Sequence, residues 1–175
     1  MTLYHYIAAD RPLPTGEYGR KFTLKKFSEL PEPTDEDDIR HFIDESEFCD
    51  QYVQVFETEL DFAGIGIHEL DGEYPKIHVL TKPYVYLLDG NFAMHEADLQ
   101  EYPLSYEIAF KCFRELFNYI NEHIPTRETV EIYSCWSGEE DQERDESLDL
   151  EIDLKTFNLG GTLEFQEKQL VKITK

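Results

Sequence analysis

The chain has 175 residues, enough for one domain that buries about 70% of its unfolded surface without disulfides or a structural metal. Thirty-eight acidic residues against sixteen Lys and Arg leave a formal charge of −22, which repels phosphates and argues against direct nucleic-acid binding or adhesion to an anionic membrane. A hydrophobic content of 41%, with twelve Phe and eleven Tyr, argues against disorder along the full length.

No run approaches the ~20 apolar residues that span a bilayer. The opening residues lack a basic n-region and reach Asp10 too early for a secretion signal. Cys49, Cys112 and Cys135 are odd in number, far apart and set in apolar stretches, so they describe no disulfide framework. Together these features predict a cytoplasmic protein with reduced, buried thiols. Its acidity is also of a kind met in many bacterial cytosolic proteins.

Leu3 to Ala8 reads as a first strand, with Tyr4 and Tyr6 as residues of a half-buried edge. A Pro/Gly-rich loop follows, and Phe22 to Phe27 is a second strand. Thr34 then resembles a helix N-cap, with Asp37 three residues on and Asp35, Glu36 and Asp38 in the first turn. Ile39, Phe42 and Ile43 give that short helix one narrow apolar stripe as far as Glu47.

The middle of the chain is rich in strand signals. Tyr52 to Thr58 alternates, and Phe62 to His68 carries small residues at Ala63, Gly64 and Gly66. Lys76 to Leu80 and Tyr84 to Leu88 follow, with turn signals at Asp71-Gly72 and Lys82-Pro83. Ser105 then caps the strongest element, a helix whose Ile108, Ala109, Cys112, Phe113, Leu116, Phe117, Ile120 and Ile124 recur at three- and four-residue spacing. Pro125 stops it.

Beyond that helix only strands are expected. Thr129 to Trp136 and Leu148 to Leu154 are joined by an acidic loop, and Thr162 to Phe165 closes a hairpin with Leu170 to Ile173. The pattern predicts one α+β domain over 1–175. Its mainly antiparallel sheet carries one long helix (about 105–124) and one short helix (about 35–47).

Chemistry-bearing motifs are weak. Asp141, Glu143 and Asp145 alternate as calcium ligands do, but the sixth loop position lacks Gly and the twelfth is Ile152, so a solvated hairpin tip is the reading and no metal is expected. The six histidines, at 5, 41, 68, 78, 95 and 123, fall in no metal-binding spacing. His78, in its strand, reads as a structural or exposed residue. Cys135, Ser134 and Ser137 are the candidate nucleophiles, yet the negative surroundings of Cys135 oppose a thiolate. Gly64 and Gly66 point to a bulge or close strand packing rather than a dinucleotide loop. No cofactor is implied.

The acid is clustered. Glu29 to Asp61 holds thirteen acids and one base, and Glu139 to Asp153 holds nine acids against Arg144. This distribution points to a non-catalytic binding module, of inhibitor or immunity type, that engages a basic protein. Its candidate contacts are Glu139, Glu140, Asp141, Glu143, Asp145 and Glu146, with Asp35, Glu36, Asp37 and Asp38 as a second group. The alternative is an enzyme with a His/carboxylate pocket on the sheet. A third reading is a homo-oligomer joined through the Leu170–Ile173 strand edge.

Overall fold

The computed structural model describes residues 2–33, 48–70 and 77–175. The short helix expected at 35–47 lies outside the described residues. Two compact units emerge, Met1–Arg20 with Ala63–Lys175, and Lys21–Phe62.

In chain order the elements are β1 (Leu3–Ala9), β2 (Gly16–Tyr18), β3 (Thr23–Lys26), β4 (Tyr52–Val55), α1 (Glu59–Phe62), β5 (Ile65–Glu69) and β6 (Tyr84–Asp89). They continue with β7 (Ala93–Met94), α2 (Asp98–Glu101), α3 (Pro103–His123), β8 (Thr129–Trp136), β9 (Leu150–Asp153), β10 (Leu163–Glu164) and β11 (Leu170–Thr174). The fold is α+β, with a mainly antiparallel sheet and one long helix.

The larger unit is built on a seven-stranded sheet in the order β2-β5-β6-β1-β8-β11-β9. Every neighbouring pair is antiparallel except β11 and β9. β1 is therefore the central strand and not an edge. Its run Tyr6 to Ala9 is buried on both faces, which a central position requires and which strict alternation would hide. β11 is also interior, so the self-association edge expected at Leu170–Ile173 is already paired on both sides. β10 does not form a hairpin with β11. It pairs with β7, Leu163 opposite Met94, while β11 lies between β8 and β9.

Alternation sorts the side chains into two faces. Ile7, Ile65, Ile67, Leu88, Val130, Ile132, Val171 and Ile173 pack with Ala109, Cys112, Phe113, Leu116 and Ile120 of α3 in the main core. The helix starts with Pro at its first position and has no side-chain cap, so Ser105 lies inside it rather than at its N-cap. The backbone amide of Ile124 still reaches Ile120 before Pro125 ends the pattern.

The opposite face carries a smaller cluster of Tyr6, Ala8, Tyr133, Cys135 and Leu170, covered by Ile77 and Leu80. Of the strand expected at 76–80, the described residues 77–80 form a turn, with the Leu80 amide donating to the Ile77 carbonyl at 3.2 Å. Glu131, 3% exposed on β8, clasps the segment that follows. Its two oxygens accept from the Thr81 amide and hydroxyl, both at 2.7 Å. Exposed His78 belongs to this covering turn.

The smaller unit pairs β3 with β4, Leu24 opposite Gln54, and follows them with α1. Phe56 meets Phe22 and Phe62 edge-on, with ring centroids 5.9 and 5.0 Å apart. None of its described residues is buried. Cys49, expected inside, is exposed, while Cys112 and Cys135 are buried. A two-stranded ribbon has too little core to enclose a thiol.

Candidate functional site

The face of the sheet turned away from α3 holds the residues singled out for binding. The loop after β8 returns over this face instead of projecting as a hairpin tip, because β11, and not β9, is the partner of β8. Tyr6 and Tyr133 lie opposite one another in the β1–β8 register, and both hydroxyls reach up to the loop. Tyr6 donates to Glu140 Oε1 at 3.1 Å, and Tyr133 to the Gln142 carbonyl at 3.4 Å. The loop is tied again where the Asp145 amide donates to the Lys168 carbonyl and Gln169 Nε2 to the Leu148 carbonyl.

These ties divide the predicted contacts. Glu140 is 7% exposed and accepts from the Gly138 amide at 3.2 Å as well as from Tyr6. It is a structural clasp rather than a wet surface acid. Glu139 is partly buried. Asp145 is exposed but turned inward on its own backbone. Hydrogen bonds from the Ser147 hydroxyl and then from its amide hold the carboxyl below its usual value.

Asp141, Glu143 and Glu146 are exposed and come together. With Gln142, Arg144, His78 and Val79 they line an open cleft of about 510 Å³. Arg144 is drawn to Glu146 at 3.6 Å and Asp149 at 3.4 Å. Asp35, Glu36, Asp37 and Asp38 lie outside the described residues. Among the described residues no three His, Cys, Asp or Glu converge as a metal ion requires.

Of the three sequence-proposed nucleophiles, Ser137 is exposed just after β8, its amide donating to the Thr2 carbonyl, and the other two are buried. Burial, together with the charges of Glu140, Glu139 and Glu167, pushes the Cys135 thiol up to about 12. Ser134 is fully buried on the helix side, sharing a 2.7 Å hydrogen bond with His5 Nδ1. Phe92 and Phe165 close over that histidine edge-on. Its burial lowers the imidazole to about 4, against a weaker upward pull from Asp89.

A second concavity occurs on the face turned away from α3, where Gly66 and Asp89 are partners in the β5–β6 register and Tyr4 precedes the His5–Leu88 pair of β1 and β6. Thr2, Tyr4, His68, Leu87 and Asp89 are among the residues lining a pocket of about 210 Å³. His68 Nε2 stands 3.4 Å from Glu17 Oε1, and Arg20 bridges Glu17 and Asp89. Sequence spacing gave no hint of this cluster, whose members come from β1, β2, β5 and β6. The one legible trace was Gly66. A Cβ there would run into the His68 ring, so the close packing expected of this glycine is what the geometry has.

No family model matches the chain. No curated protein and no solved structure matches it either. No helix among the described residues is long and apolar enough to cross a membrane.

Proposed function

We propose that this chain is a non-catalytic binding module of the cytoplasm that engages a basic protein through the acidic loop after β8. The observation that carries the reading is the convergence of Asp141, Glu143 and Glu146 on one cleft, in a loop held by Tyr6, Tyr133, Lys168 and Gln169. A pre-ordered loop gives up little entropy on binding. Carboxylates kept in water at its rim add steering and orientation more than raw affinity. Net charge of −22 extends that attraction over the whole molecule.

The geometry suits a partner that offers Lys or Arg side chains to the cleft, as a cationic enzyme does from its substrate groove. An inhibitor of immunity type works in this way, its carboxylates standing where phosphates would. The test is capture from a cell lysate at low salt and at about 0.5 M salt, where exposed charges are screened. Wild type is expected to retain a basic protein only at low salt, and a triple variant Asp141→Asn, Glu143→Gln, Glu146→Gln to lose it. Retention that ignores both salt and the triple substitution ends the proposal.

A further inference from the structure

We infer that the pocket between β1, β5 and β6 is a receptor for a primary alkylammonium group. Three polar groups that line it have no partner among the described residues: Asp89 Oδ1, His68 Nδ1 and the Tyr4 hydroxyl. Their companions are already engaged. Arg20 holds the second Asp89 oxygen, and its other amino group lies 2.5 Å from Glu17 Oε2. Glu17 Oε1 takes up the remaining imidazole nitrogen of His68 at 3.4 Å.

Asp89 Oδ1 can only accept and the Tyr4 hydroxyl is able to, and an ammonium group brings three donors. Charge agrees with this. Glu17 and Asp89 bring two carboxylates to the one guanidinium of Arg20, a balance that favours a cation over an anion. Tyr4 and Leu87, which lie on this face, give the alkyl chain an apolar wall. A water molecule occupies about 30 Å³ in the liquid, so about 210 Å³ takes an amine with a short chain and excludes a nucleotide-sized ligand.

Such a group comes from a free small amine or from a lysine side chain, and the experiment separates the two. Labelled protein is titrated by heteronuclear NMR at physiological salt with n-butylamine, with 1-butanol as the neutral match, and with N-acetyl-lysine-N-methylamide. The amine is expected to shift Tyr4, His68, Leu87 and Asp89 with a dissociation constant on the order of 1 mM. The alcohol is expected to leave them unmoved. Lysine amide binding as tightly as n-butylamine assigns the pocket to a side chain, while clearly weaker binding assigns it to a free amine.

Asp89→Asn is expected to weaken n-butylamine by about tenfold or more, and His68→Gln, at a half-exposed position, to weaken it without touching the core. Asp141→Asn, in the acidic cleft, is expected to leave it unchanged, so failure of this pocket and failure of the cleft are read separately. Equal shifts with 1-butanol, or binding indifferent to both Asp89→Asn and His68→Gln, overturn the inference.

Discussion

The Tyr6 hydroxyl, in the middle of the central strand, donates to Glu140 Oε1 at 3.1 Å across 134 residues of sequence. This bond fixes the acidic loop to the sheet and takes one of its acids out of solvent. Tyr6→Phe removes the donor and leaves the buried carboxylate with the Gly138 amide. A loss of about 1–2 kcal/mol is expected, measured by urea unfolding followed through Trp136, the only tryptophan. Combined with Glu140→Gln in a double-mutant cycle, the pair should show coupling on the order of 1 kcal/mol. Strict additivity would mean that the loop is held elsewhere.

The buried imidazole of His5 sets a pH dependence. Its folded value is lowered to about 4 from an ordinary 6.5, so the unfolded chain takes up a proton that the folded chain refuses. Stability is complete above pH 6.5, falls as pH drops from 6.5 toward 4, and levels off below. Linkage gives a loss of about 2 kcal/mol between pH 7 and 5. That window lies above the ordinary carboxylate range, so the acids contribute little to it. His5→Gln is expected to start less stable but to show a flatter profile over the same interval. A wild-type slope that survives in the variant would assign the effect to another group.

Thiol chemistry separates the three cysteines by burial. Cys49 is exposed. Cys112 lies on the buried face of α3, its thiol raised by desolvation and its Sγ donating to the Gly64 carbonyl at 3.1 Å. Cys135 is raised to about 12. Iodoacetamide at pH 8 is expected to modify Cys49 alone in the native protein and all three thiols after denaturation, as counted by intact mass. Fast native labelling of Cys135 would show that the covering turn and loop open readily.

Local signals carried much of the fold. The three-to-four spacing from Ile108 to Ile124 identified α3 to within two residues of its start, since one helix face meeting one sheet leaves a strong periodicity. Thr129–Trp136 was legible at both ends. Pairing was not, because partners are chosen by the whole sheet. Leu170–Thr174 sits between β8 and β9 although Thr162–Phe165 is nearer in sequence. The same reason hid the site. Glu140 looks like its neighbours in the sequence, and only the reach of Tyr6 makes it internal. His68 and Asp89 stand twenty-one residues apart and line one pocket because β5 and β6 pair.

Two glycines next to that meeting point should respond differently to one added methyl. At Gly64 a Cβ would press on the Tyr18 carbonyl and the Arg20 amide, backbone atoms of a paired edge that cannot withdraw. Gly64→Ala is expected to cost about 1–3 kcal/mol, the range of an overpacked core. At Gly66 the obstruction is Nε2 of His68, the far end of a half-exposed side chain, which can swing out. Alanine there also restricts the unfolded chain, worth about 0.4–1 kcal/mol in favour of folding. Gly66→Ala should therefore stay within about 1 kcal/mol of wild type while separating His68 from Glu17. Urea midpoints measure the first effect, and the shift of the His68 ring protons measures the second. If Gly66→Ala unfolds the sheet as readily as Gly64→Ala, the ring is clamped by its surroundings, and His68 is a packing residue rather than a group held at the edge of an open pocket.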